Sequence, residues 1–401
     1  MRLCRCVMGL LLLASPVLAQ QTGSRPPGIP ELEAQARADS NDATIHYALA
    51  MAYWDKKKWD DADRAMRQAV QLAPNYADAW LALSQLPWRR GEGYWKKVKQ
   101  ASGDSAIVTM LYESGARYRR AFLLNPLVDL GILGKFAGPE GMSFVRTQGG
   151  FVFYFRPWWS QELSRAVNDF RAAKYDEAFA RIHKLAVDAR SGGAADFAAA
   201  PVLFYHGLAA AHLGNFDEAV QNFAVLTRRA MDEEQDTARV EQDIPLGSNH
   251  YRFILATFLY LGGRYEQAIP TFRRTLEFDL SLYMAHVQLA RMYEQRGQIE
   301  EALAERRLAL DVDQDNSDLV LDLAATLVRS QRTADAVEPL ADAARANPRD
   351  ARIPYLQGVV AVELRQAAAA REAFSRFLAI APSRFAAQRA EARAWLADPA
   401  Q

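Results

Sequence analysis

The chain has 401 residues and is 50% hydrophobic, 24% charged and 10% aromatic, ample material for a packed core and too apolar for wholesale disorder. Lys plus Arg is 48 and Asp plus Glu is 48, so no global field draws the protein to nucleic acid or to an anionic membrane. Its only cysteines, Cys4 and Cys6, exclude a disulfide framework, a cysteine-ligated metal and a cysteine nucleophile further along.

Residues 1–19, MRLCRCVMGLLLLASPVLA, place Arg2 and Arg5 before a short apolar run, then Pro16 and a small-residue end at Ala19. This is the layout of a secretory signal peptide. The run at 7–14 is far shorter than the roughly 20 residues of a spanning helix, so no transmembrane anchor is expected. The expected location is periplasmic or extracellular. Cleavage near Ala19 would remove both cysteines, which suits an oxidising compartment. Residues 20–42 read as a leader and a first helix, the leader being the Pro/Gly-rich QQTGSRPPGIP.

From residue 43 onward, segments of 34 residues can be laid over one another, each with two amphipathic helical patterns and a short turn. Position 8 is small throughout: Ala50, Ser84, Ala166, Gly207, Ala256, Ala290, Ala324 and Gly358. Position 20 is Ala62, Ala178, Ala219, Ala268, Ala302, Ala336 and Ala370. A small residue on each helix lets the two backbones approach, and a larger side chain there would overpack the crossing. Large apolar residues recur at position 17 (Trp59, Tyr175, Phe216, Tyr265, Ile299) and position 24 (Met66, Ile182, Phe223, Phe272, Leu340, Phe374). Gly214, Gly263 and Gly297 sit at turns, and Pro74, Pro348 and Pro382 close second helices.

The pattern resembles the tetratricopeptide repeat family over about residues 43–86 and 159–382, with NFDEAV, RYEQAI and QIEEAL at 215–220, 264–269 and 298–303 closest to it. Four units starting at residues 249, 283, 317 and 351 follow in strict register. Arg306 departs from the pattern at position 24, and Thr333 and Ala367 weaken position 17. The resemblance implies an all-α, right-handed solenoid of helix–turn–helix units. Its divisions are N-terminal units at 43–86, an irregular insertion at 87–157, a C-terminal array at 158–384, and a capping helix and tail at 385–401.

Within the insertion, residues 105–124 read as a helix ending at Asn125-Pro126. FVRTQGGFVFYF at 144–155 switches to aromatic and β-branched residues around Gly-Gly, which reads as a β-hairpin docked near Trp158 and Trp159, or as irregular aromatic packing. The acidic stretch 231–243 reads as the end of a lengthened second helix and a solvated loop.

The six histidines show no metal-binding spacing along the chain, and no phosphate-cradling loop or nucleophile elbow appears. DVDQDNSDLVLD at 311–322 puts Asp311, Asp313, Asp315, Ser317 and Asp322 at calcium-loop offsets, but Asn316 stands where the sharp turn needs glycine. Capping of the next helix by Asn316 or Ser317 is the better account. No catalytic residue, cofactor site or metal site is therefore assigned.

By the resemblance, the first helices line a concave groove in which Tyr47, Met51, Trp54, Asp55, Leu81, Gln85, Trp88 and Arg89 face a partner. Phe253, Thr257 and Tyr260 join them further on, then Val287, Arg291 and Glu294. Tyr47 and Met51 stand where a carboxylate clamp would need Lys and Asn. The expected function is a non-catalytic scaffold exported to the cell envelope, binding a peptide or partner protein and no nucleic acid. A place in an assembly or export complex is a subclass of that reading. The alternative is an α/α-toroid-like carbohydrate-active or other envelope enzyme that uses the insertion.

Overall fold

The computed structural model describes residues 27–133, 142–147, 150–155, 161–191, 196–235 and 246–397. The expected signal peptide and Trp158 and Trp159 lie outside these residues. The fold class is an all-α solenoid of antiparallel helical hairpins. In chain order the first helices are α1 (Ile29–Ala38), α2 (Ala43–Asp55), α3 (Trp59–Leu72), α4 (Ala77–Arg89) and α5 (Glu92–Leu124). A pair of strands follows, β1 (Met142–Thr147) and β2 (Gly150–Phe155), and then α6 (Gln161–Arg171), α7 (Tyr175–Arg190), α8 (Asp196–His212) and α9 (Phe216–Gln235). The rest are α10 (Ser248–Leu261), α11 (Tyr265–Phe278), α12 (Tyr283–Gln295), α13 (Ile299–Val312) and α14 (Ser317–Arg329). The chain ends with α15 (Val337–Ala346), α16 (Arg352–Glu363), α17 (Ala367–Ile380) and α18 (Ala386–Ala397).

Helix α3 shows why these segments fold as they do. Ala62, Ala65, Met66, Ala69 and Val70 are buried at helical spacing, and Asp60 and Asp61 sit in the first turn, where acidic groups oppose the helix dipole. The helix stops at Ala73, which is non-helical, as the residue before Pro74 is biased to be.

Each hairpin reverses at position 15 of its unit through a residue with positive φ: Lys57, Ala173, Gly214, Gly263, Gly297, Gln331 and Arg365. The hydrogen bonds repeat too. Gly263 N–H donates to Tyr260 O at 2.9 Å and Arg264 N–H to Leu259 O at 2.8 Å; Arg365 and Gln366 do the same to Val362 and Ala361 at 3.0 and 2.8 Å. This is the Schellman arrangement, which satisfies the last carbonyls of the first helix.

The chain forms two compact units, one from residues 1–79 with 289–401 and one from residues 80–288. In the first unit the small residues at positions 8 and 20, Ala50 and Ala62, Ala324 and Ala336, and Gly358 and Ala370, are all buried. A Cβ placed on Gly358 would come within 2.4 Å of the Phe374 ring. This unit is made from both ends of the chain. Asn41 donates to the Ile380 carbonyl at 3.2 Å, Arg349 reaches Asn41 Oδ1 at 2.8 Å, and Ser383 Oγ donates to Asp39 at 2.7 Å. The carboxylate of Asp42 caps α2 through the Thr44 N–H and lies 3.4 Å from Arg384.

In the second unit, α4 continues through Pro87, so the boundary expected at residue 87 falls inside a helix. Gly91 then holds position 15 with φ +76 but an extended ψ, and α5 follows directly, interrupted at Gly103 by the same non-helical geometry. The later part of α5 reaches Leu124, with Asn125 as its cap residue, where the sequence places the end of a helix. Its Tyr118 and Phe122 are fully buried, and the Phe122 ring packs 5.7 Å from that of Phe204 on α8. Strands β1 and β2 pair antiparallel, Met142 opposite Phe155 and Thr147 opposite Gly150. Helix α9 runs on to Gln235, and Glu234 near its end accepts from Ser248 N–H at 2.7 Å, capping α10.

Two glycine changes are expected to act with opposite sign. Gly358→Ala forces a methyl into the Phe374 ring and is expected to cost roughly 1–3 kcal/mol. Arg365→Gly relieves left-handed strain at an exposed site, and is expected to gain up to about 1 kcal/mol after the entropic penalty of glycine. Urea midpoints of the two variants check this; a loss at Arg365→Gly would mean the turn is not strained.

Candidate functional site

The side chains expected to face a groove fall into both units. In the first, Tyr47 is half-buried on α2 with its ring 4.9 Å from that of Tyr76, and Met51 one turn on is also half-buried. Trp54 is buried edge-on against Trp59, 5.5 Å between centroids, so it closes the hairpin more than it faces outward. Asp55 is exposed and Arg291 half-buried.

Glu294 has a different task. Position 24 of its unit holds Arg306 where the pattern wants a large apolar residue, and the structure buries that arginine. Glu294 Oε1 accepts from Arg306 at 3.1 Å, and Asp322 takes the other branch of the guanidinium at 2.7 Å. Arg329 and Thr326 also donate to Glu294. A buried guanidinium is tolerated only when its donors are satisfied, and here two carboxylates do that.

In the second unit the expectation is corrected at several residues. Phe253 is fully buried with its ring 5.4 Å from Phe272, and Leu81, Gln85, Thr257 and Val287 are buried as well. These side chains pack the interior of the unit, Phe253 against the second helix of its own hairpin. Tyr260 stays half-exposed, its ring 5.7 Å from Tyr265.

Trp88 lies among further aromatic and cationic pairs. The Trp88 ring lies 4.7 Å from Trp95, the Trp88 indole donates to Ser114 at 2.9 Å, and the Trp95 indole to the Pro87 carbonyl at 2.7 Å. Arg90 stands 4.6 Å from the Tyr94 ring and Arg120 4.6 Å from that of Trp80, both within cation–π reach. Burial, with Arg171 nearby, lowers the Arg89 pKa from its ordinary value. Trp80, Trp88, Tyr94 and Trp95 are half-buried. Reading by repeat position missed Trp80, Tyr94 and Trp95; the aromatic content around residue 95 was the available signal.

The calcium-like spacing at 311–322 has other work. Asn316 caps α14 by accepting from Asp318 N–H at 3.1 Å, Ser317 donates to Asp350 at 2.8 Å, and Asp322 is committed to Arg306. Asp350 also binds Arg352 at 2.7 Å; burial opposes its charge, but Arg352 overrides that and holds the carboxyl below its usual range.

Histidines far apart in sequence meet in the second unit. His183 on α7 and His206 on α8 bring Nδ1 and Nε2 to 3.0 Å, with Glu218 of α9 beside them. His206 is fully buried under Phe179, whose ring stacks at 4.3 Å. His212 stacks on Tyr175 at 3.9 Å. Burial pushes the pKa of His206, His212 and His250 down to about 4.

Tetratricopeptide repeat models match residues 43–76 and 321–385. No curated protein matches the chain. Among solved structures it is similar to the P58(IPK) TPR domain, with 12% identity and a TM-score of 0.24 over 98% of both chains. It is also similar to the APC/C hetero-tetramer Cut9-Hcn1, with 12% identity and a TM-score of 0.36, covering 98% of this chain and 81% of that one.

Two stability tests follow from these buried groups. Arg306→Ala leaves Glu294 and Asp322 without their shared cation and is expected to cost roughly 3–5 kcal/mol, measured by chemical denaturation. A loss within about 0.5 kcal/mol would mean the ion cluster is solvated. The histidines set a pH dependence. Between pH 6.5 and about 4 the unfolded chain binds protons that the folded one refuses, so their contribution is intact above 6.5 and is lost as pH falls toward 4. The melting temperature should drop on acidification through that window, and His212→Phe, which keeps a stacked ring, should lessen the drop.

Proposed function

The chain is a tetratricopeptide repeat protein, and from that premise we propose that it is a non-catalytic scaffold, exported to the periplasm or beyond, that holds a peptide or partner protein on its repeats. The observation that carries this reading is the set of half-buried aromatic and cationic side chains where α4 passes into α5, the Trp88–Trp95 pair and Arg90 over Tyr94. Tryptophan, tyrosine and arginine dominate binding energy in protein interfaces, because they bury large areas while keeping a polar handle. Tyr47 and Met51 offer a second, smaller apolar surface in the other unit. Export rests on the layout of residues 1–19.

The test combines capture and sequencing. Partners crosslinked to the wild-type protein in the envelope fraction are identified, and their affinity is measured for Trp88→Ala and for Tyr47→Ala. Loss of a central aromatic should weaken binding by about 30-fold or more at a temperature well below the variant's own melting point. Partners that bind both variants as well as wild type would sink the assignment of these surfaces. An intact Met1 on the envelope pool, rather than a start near Gln20, would sink export.

A further inference from the structure

We propose that His183, His206 and Glu218 form a binding site for a divalent transition metal ion of the zinc class, held between α7, α8 and α9. Their ligand atoms all lie within 4.8 Å of one another. The two imidazole nitrogens are 3.0 Å apart, and Glu218 Oε1 is 3.9 Å from His183 Nδ1 and 3.8 Å from His206 Nδ1. Zinc–ligand bonds of about 2.0–2.1 Å place neighbouring ligand atoms a little over 3 Å apart, so an ion held by His183 Nδ1 and His206 Nε2 needs the Glu218 carboxylate to swing toward them from its place beside His206 Nδ1. Two imidazoles and a carboxylate are a recurrent donor set for zinc, cobalt and nickel.

The surroundings are those of a supported ligand set. His206 is wholly buried and fixed by Phe179 on one face and by Asn222 at 2.7 Å on its Nδ1. Such an outer partner orients the imidazole, and its carboxamide must turn over before Nε2 is free to ligate. Arg190 donates to Asn222 Oδ1 at 2.9 Å and pairs with Glu218, which aims the carboxylate at the two rings. His183 is 48% exposed, and it leaves the ion an entry path and room for water ligands.

The proton accounting is consistent. Because Arg190 occupies Asn222 Oδ1, the Asn222 amide NH2 faces His206 Nδ1, and the single imidazole proton of His206 lies on Nε2, donated to His183. Metal on Nε2 moves that proton to Nδ1, and rotation of the Asn222 carboxamide supplies an oxygen to accept it. No net proton is released. Arg190 then keeps only its contact with Glu218.

The full-length chain titrated with Co2+ tests this through the visible absorption of the bound ion, followed by displacement with Zn2+ and by melting with and without Zn2+. The expected result is one saturable cobalt site that zinc displaces, with a higher melting temperature in excess zinc. His183→Ala and Glu218→Gln should each weaken cobalt binding at least about 10-fold at a temperature where that variant is folded, and lose the zinc-dependent rise over its own metal-free melting temperature. No cobalt band, a band unchanged in His183→Ala, or a thiolate-type spectrum from Cys4 and Cys6 would overturn the proposal. If Glu218→Gln does not fold, the His183→Ala comparison decides alone.

Discussion

The repeating hairpins depend on one backbone constraint: at position 15 of seven units the chain enters a positive-φ conformation and reverses. The reversal fixes where the second helix starts relative to the first, and therefore which residues meet at the crossing. That is why positions 8 and 20 must both be small. Ala50 and Ala62, or Gly358 and Ala370, are set opposite one another by a turn seven residues beyond the first of them, not by any attraction of their own. In Gly214, Gly263 and Gly297 the turn is unstrained. In Lys57, Ala173, Gln331 and Arg365 it is held at a cost of about 1–2 kcal/mol each, offset by the packing it permits.

The same constraint explains what the sequence made legible. The crossing alanines are local, periodic and nearly invariant in type, so the hairpin frame could be read directly. The four non-glycine turns could not be recognised by residue type, and only Gly214, Gly263 and Gly297 were read as turns. Groove residues were harder. Repeat position tells which way a side chain leaves its own helix, but burial depends on what packs over it, and Phe253, which meets Phe272 across its own hairpin, and Val287 are both buried. Arg306 looked like a defect in the pattern because its partners, Glu294 and Asp322, lie on the helices before and after it. The His183–His206 pair escaped a search for metal spacing since its members are 23 residues apart, on two helices of different units of the pattern.

The unit made from both chain ends adds a folding constraint. Helices α1 to α3 can form a hairpin locally, but their contacts with Arg349, Ser383 and Arg384 join residues more than 300 positions apart. Contacts of that separation carry a large loop-closure penalty and form late. The N-terminal hairpin therefore completes its packing only after the last repeats have been made, whereas residues 80–288 have all their internal partners earlier. The capping carboxylate Asp42 links the two events, because it satisfies α2 locally and faces Arg384 when the ends meet.

Buried charge has a logic in such an array. An alanine crossing is chemically the same in every repeat, so it cannot distinguish the correct neighbour from any other hairpin. The ion clusters can. Arg306 is satisfied only where Glu294 and Asp322 flank it, which ties α12, α13 and α14 in that order. Arg352 needs Asp318 and Asp350, tying α14 to α16, and Ser317 adds its hydroxyl to Asp350. A mispaired hairpin would bury one of these guanidinium groups beside an apolar surface, at a cost of several kcal/mol. A slip of the apolar contacts alone would cost far less, since one small-residue crossing substitutes well for another. Apolar burial thus drives the stacking, and the few buried ion pairs discriminate among stacks that apolar burial would accept.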